Sequence, residues 1–122
     1  MKKQLLGAVL FLLPLFVKSQ VLIDGKDINA DSTLTYIEIV GADIGLFKKK
    51  LVVVVDYGQK FSIWDAKDSA VKDSAGKNYI FNTMVDALNF FSRNGWIYEN
   101  SYAISVPNSG NVYHFLLKRK GI

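Results

Sequence analysis

The sequence predicts an α+β fold, a small antiparallel sheet of about four to six strands with one amphipathic helix at about residues 83–94 packed on one face. Three observations predict it. A start signal at Thr83 and a stop signal at Gly95 bracket an apolar period of helical spacing. Alternating and β-branched runs at 35–40 and 50–57 read as strands, and the turn-rich Pro107–Asn111 joins two further extended segments.

Met1-Lys2-Lys3 gives a positive start, Leu5 to Val17 is apolar apart from Pro14, and Val17-Lys18-Ser19 suits signal peptidase. Residues 1–19 therefore read as a secretory signal peptide cut between Ser19 and Gln20. A membrane anchor is the competing reading, but thirteen residues at 1.5 Å each cover only about 20 Å of a hydrocarbon core about 30 Å thick. The chain has no cysteine, which excludes lipidation at a lipobox, disulfides, thiolate metal sites and a thiol nucleophile. Removing residues 1–19 takes away Lys2, Lys3 and Lys18 and no acid, so the formal charge drops by three from +4 to +1. The basic balance belongs to the signal, and nucleic-acid binding is not expected.

Residues 20–34, with Asp24-Gly25, Asp27, Asn29 and Asp31, read as a polar N-terminal arm without a clear period, either mobile or a short edge strand, and residues 35–122 as a single α+β domain. Thr35 to Val40 alternates, Tyr36 and Glu38 on one side and Ile37 and Ile39 on the other; Gly41 and Gly45 then mark a connection. The Val52–Val55 run within Lys50–Tyr57 is apolar on both faces and is expected at the centre of the sheet. From Gly58 to Phe81 a structureless loop would be too long for so small a domain, so a hairpin is expected there. Asp73-Ser74-Ala75-Gly76 is its type I turn, with Val71 and Tyr79 on the flanking strands.

Thr83 and Asp86 make a variant capping box, Met84, Val85, Leu88 and Phe91 supply the apolar face, and Gly95 terminates the helix. Trp96 is expected to pack beneath it. The strand from Trp96 to Val106 reads with Trp96, Tyr98, Tyr102, Ile104 and Val106 on one face and Ile97, Glu99, Ser101, Ala103 and Ser105 on the other. Val112 to Lys118 closes the hairpin, and Lys118-Arg119-Lys120 ends it in water. One helix cannot cover both faces of such a sheet, so either a long loop covers the second face or a second copy of the chain does.

Asp86-Ala87-Leu88-Asn89, Gly95-Trp96 and Leu116-Leu117-Lys118-Arg119, together with Val55 to Gln59 and Phe81-Asn82, resemble small uncharacterised bacterial domains of unknown function with an ALN…GWE…LKR pattern, their exported versions above all. The resemblance covers roughly residues 35–120 and implies a small antiparallel sheet with one helix, with no activity to carry over. Ile97 and Glu99 stand in reversed order relative to that pattern.

His114 is the single histidine, so two-histidine metal sites are excluded and any Ser-His-Asp chemistry depends on this one ring. No serine sits in a nucleophile-elbow motif, and Asp65, Asp68 and Asp73 do not have the spacing of a calcium loop. Glu38, Asp56, Asp86 and Glu99 are the acids placed in regular elements. Tyr57 and Trp64 are the first place to expect an aromatic surface site. Lys48, Lys49 and Lys50 with Lys118, Arg119 and Lys120 form two basic clusters that could meet on one rim and take anionic lipid or glycan, or simply be solvated strand ends. The expectation is an exported, non-catalytic binding or self-association domain without cofactor or metal. Its alternatives are a small enzyme using His114 with a nearby acid and an envelope-surface binder using the basic clusters.

Overall fold

The computed structural model describes residues 19–42, 51–61, 68–107 and 110–121. Their order is β1 (Leu22–Ile23), β2 (Lys26–Asp27), a 3-10 turn (Ile28–Ala30), β3 (Tyr36–Ala42), β4 (Val53–Asp56), β5 (Val71–Lys72), α1 (Met84–Arg93), β6 (Trp96–Val106) and β7 (Gly110–Arg119). The fold is α+β with one α-helix among the described residues. Its strands divide over two antiparallel sheets, one of three strands ordered β2-β1-β5 and one of four ordered β4-β3-β7-β6. A single bridge between Val54 and Ala70 joins them.

The helix forms where the sequence predicts it. The Thr83 hydroxyl accepts from the Asp86 amide at 3.1 Å, and the Asp86 carboxylate accepts from the Asn82 amide at 2.9 Å. Asn94 ends α1, and Gly95 follows at φ +92°, a conformation that favours glycine. The second hairpin is present as well: the Gly76 amide donates to Asp73 O at 3.0 Å across the type I turn, and the Tyr79 amide to Val71 O at 2.8 Å.

One core unites these elements. Ile37, Ile39, Val53, Val55, Trp96 and Leu117 point from the four-stranded sheet towards Ala87 and Phe91 of α1, Phe81, and Val21, Ile23, Ile28 and Val71 of the N-terminal layer. Residues 20–34 are thus a packed layer rather than a mobile arm: Val21, Ile23 and Ile28 are all fully buried, and the short strand expected as the alternative is present as β2 at the edge of the three-stranded sheet. Asp24 and Gly25, at φ +48° and +73°, make the two-residue turn between β1 and β2 that twisted antiparallel strands prefer.

Three further expectations are corrected. The valine run is not the centre of the sheet: β3 and β7 are, and β4 lies outside them with Val53 and Val55 buried and Val54 half-buried, an alternation that its all-valine composition hides. Gly41 is inside β3 rather than in a connection. A Cβ there would run into the Met84 thioether and stand 3.3 Å from Leu51 Cδ1, so a larger residue would displace the Met84 side chain where the helix start lies on the strand. Finally, β6 does not keep one alternation throughout. Tyr98 pairs with Leu117 and Asn100 with Leu116, leaving Glu99 bulged, so side chains after the bulge exchange faces. Trp96, Tyr98, Ser101, Ala103 and Ser105 share the core face, and Ile97, Asn100, Tyr102 and Ile104 share the opposite face.

Candidate functional site

The face of the four-stranded sheet turned away from α1 carries a polar and aromatic grouping built on His114. The registers place Tyr102 of β6, His114 of β7 and Val40 of β3 in one row, and Asn100, Leu116, Glu38 and Asp56 in the next. His114 Nδ1 is 2.7 Å from Glu38 Oε1, with side-chain exposures of 14% and 24%. With Glu38 ionised, Nδ1 carries the proton and donates it, which fixes the ring's tautomer and plane. The Tyr102 ring lies on the imidazole at 4.5 Å between centroids and 7° between planes, and its hydroxyl donates to the same Oε1 at a long 3.4 Å. Burial first, then the Glu38 carboxylate and the more distant Asp56, push the Tyr102 phenol above its ordinary value.

His114 therefore has the nearby acid that an enzymatic reading requires, supplied by Glu38. It lacks the next component: the ring's hydrogen bond goes to Glu38, and no serine or threonine hydroxyl among the described residues is bonded to it. No group of three or more metal-ligating side chains occurs among the described residues. Among the described residues the grouping is a tyrosine ring stacked on an imidazole that is hydrogen-bonded to a carboxylate.

Around it the face is apolar and accessible. Tyr36, Ile97, Tyr102 and Ile104 lie about half exposed at 48–53%, while Val40 beside His114 is buried. Among the described residues, Lys118, Arg119 and Lys120 do not act as one cluster. Lys118 reaches over the Tyr36 ring on the open face, at 5.9 Å. Arg119 turns to the core side, and Lys120 Nζ donates to Ser92 O at the end of α1. The three cations point three ways and form no single rim; Lys48, Lys49 and Lys50 lie outside the described residues.

Arg119 has a structural role that the sequence does not announce. Its Nε donates to Leu34 O at 2.8 Å, Nη1 to Asn29 O at 3.2 Å, and Nη2 to Asp31 O at 2.7 Å and Ile28 O at 3.3 Å. Its guanidinium stacks on the Trp96 ring at 4.8 Å. Trp96 is buried in the same cluster as Ala87 and Phe91 of the helix, as expected, and its Nε1 donates to Asn29 Oδ1 at 2.8 Å, while Asn29 Nδ2 donates to Asn94 O at 2.8 Å. Asn29 thus links the 3-10 turn to the helix end and to β6.

Tyr57, expected beside a surface site, is half-buried against the core with the Lys26 ammonium 5.0 Å over its ring. Trp64 lies outside the described residues. Glu38 stood among the acids in regular elements, and its pairing with His114 follows from a strand register that one strand alone cannot specify. Tyr102 was placed on the wrong face because a bulge at Glu99 has no signature in the alternation before it. Ser19 and Gln20 are exposed and outside regular structure. In comparisons with known proteins, no family model, curated protein or solved structure matches this chain.

Proposed function

We propose that this protein is an exported, non-catalytic α+β domain that works by self-association through its four-stranded sheet, on the side of the open face and the β6 edge. The observation that carries this reading is the half-exposed group Tyr36, Ile97, Tyr102 and Ile104, gathered on the face turned away from the buried core. The Tyr102–His114–Glu38 contacts support it from the chemical side. They lock the one histidine into a flat stacked surface suited to packing and leave it no bonded hydroxyl to activate.

Export fits the same reading, since Val21, the first core residue among those described, follows the expected cut after Ser19 by two positions. The kinship with small exported domains suggested by Gly95-Trp96 and Leu116–Arg119 belongs to this proposal on the same footing.

Sedimentation velocity over a wide concentration range tests it. The wild-type chain is expected to rise from monomer towards dimer as concentration increases, and Ile104→Lys, at an exposed position, to remain monomeric with an unchanged circular dichroism spectrum. A wild-type chain that stays monomeric to millimolar concentration overturns the proposal.

A further inference from the structure

Among the described residues β6 closes one side of the four-stranded sheet and has no strand beyond it. Two ladder bonds establish which of its backbone groups face outward. The Arg119 amide donates to Thr35 O at 2.8 Å and the Lys120 amide to Gly95 O at 2.9 Å, so even-numbered residues of β7 bond to β6 and odd-numbered ones to β3. Through the register His114↔Tyr102, the amides and carbonyls of Asn100, Tyr102 and Ile104 turn inward to β7. Those of Ser101, Ala103 and Ser105 turn outward. Asn100 Oδ1 accepts from the Ser101 amide at 2.8 Å, as expected for an amide that the ladder leaves unpaired.

Exposed sheet edges are normally protected by charge, proline or bulges. Here the protection is confined to the two ends. Glu99, charged and bulged, stands at one end and Pro107 at the other, and residues 100–106 between them contain no charge, no proline and no glycine. Ala103 is the midpoint, four positions from each guard. An antiparallel partner centred there meets the whole unguarded stretch and neither guard, and the partner with that same spacing is a second copy of this chain.

We infer that two copies join edge to edge through β6, antiparallel about a two-fold axis at Ala103. This rests on the self-association proposed above and specifies its mode. Ala103 faces the partner's Ala103, and Ser101 faces the partner's Ser105. These are the residues whose backbone groups point outward, so the pairs exchange amide-to-carbonyl hydrogen bonds in the ordinary antiparallel pattern. Tyr102 then sits opposite the partner's Ile104 on the open face, an aromatic against a β-branched side chain, on both sides of the axis. The contact is isologous and closed, and the two four-stranded sheets become one of eight strands whose open faces are continuous. The Tyr102–His114–Glu38 group of each copy flanks the junction.

The absence of native cysteine makes the register directly testable in the full-length chain. Single variants Ala103→Cys, Ser101→Cys and Ser105→Cys, all at exposed positions, are oxidised under mild conditions beside a sedimentation measurement of the wild type. Ala103→Cys is expected to cross-link with itself. Ser101→Cys and Ser105→Cys are expected to cross-link when mixed with each other and several-fold less when each is alone. Ala103→Lys, which restores an edge charge without disturbing the core, is expected to be a folded monomer. Cross-linking of Ser101→Cys with Ala103→Cys in place of these pairs would overturn the register, and a wild-type dimer in which none of the three positions cross-links would overturn edge pairing while leaving self-association standing. A monomeric wild type overturns both.

Discussion

Arg119 ties the last strand to the N-terminal segment with one side chain. Four of its hydrogen bonds go to backbone carbonyls of residues 28–34, and the Trp96 ring covers its plane. A planar fork with several donors can do this and a point charge cannot. Arg119→Ala should lower stability by about 3 kcal/mol, and Arg119→Lys should recover less than half, as urea midpoints will show. Asn29→Ala leaves the indole N–H of the buried Trp96 without its acceptor and should cost about 2 kcal/mol. Asp31 offers a pH signature at the same segment. The Thr33 hydroxyl first, then the Lys26 ammonium and the Thr33 amide, hold its carboxyl down from 3.8 to about 2. The folded carboxyl releases its proton more readily than the unfolded one, so its contribution is present above 3.8 and fades as pH falls through about 2. The difference in midpoint between wild type and Asp31→Asn should therefore be constant near neutrality and close between those two pH values.

Elements were legible in proportion to how local their signals are. Helix α1 was readable because cap, period and stop all lie within thirteen residues, 83 to 95, and Thr83→Ala should remove about 1 kcal/mol in the same denaturation measurement. The hairpin around Asp73–Gly76 was readable for the same reason, since one i to i+3 turn bond closes it. Asp24-Gly25 carried an equally local turn signal, yet its flanking strands have two residues each and no room for a period to show. Gly41 looked like a linker residue and proved to be a contact made across the fold. Gly41→Ala should cost about 1–2 kcal/mol by driving a methyl into Met84, and Met84→Ala should remove much of that penalty in a double-mutant cycle. The face exchange along β6 and the outer position of β4 depend on partners distant in sequence, which no window along one strand contains.

At the scale of the whole molecule, the one α-helix among the described residues packs on a single side of the four-stranded sheet. The N-terminal layer and α1 together close one face, and they do so around a cluster of fully buried aliphatic and aromatic side chains. What remains is the other face and the β6 edge. The expectation of a second cover for the sheet comes from the single helix signal in the sequence, and the proposed self-association would supply that cover. The site itself was half legible: His114 stood out as the single histidine and Glu38 as one of few acids in strands, while their contact and the Tyr102 stack arise only when three strands assemble. The proposed export predicts a mature N-terminus at Gln20 in the exported protein, read by mass spectrometry, and an intact Met1 in a membrane fraction would contradict it.

Amide hydrogen exchange, followed residue by residue along β6 at increasing protein concentration, tests self-association through this strand most directly. The amides of Asn100, Tyr102 and Ile104, bonded to β7, should be protected at every concentration, and those of Ala103 and Ser105 should become protected in step with the dimer fraction. Rapid exchange at Ala103 and Ser105 in a solution that is fully dimeric by mass would contradict edge pairing, and its persistence in a solution that never dimerises would contradict the account as a whole.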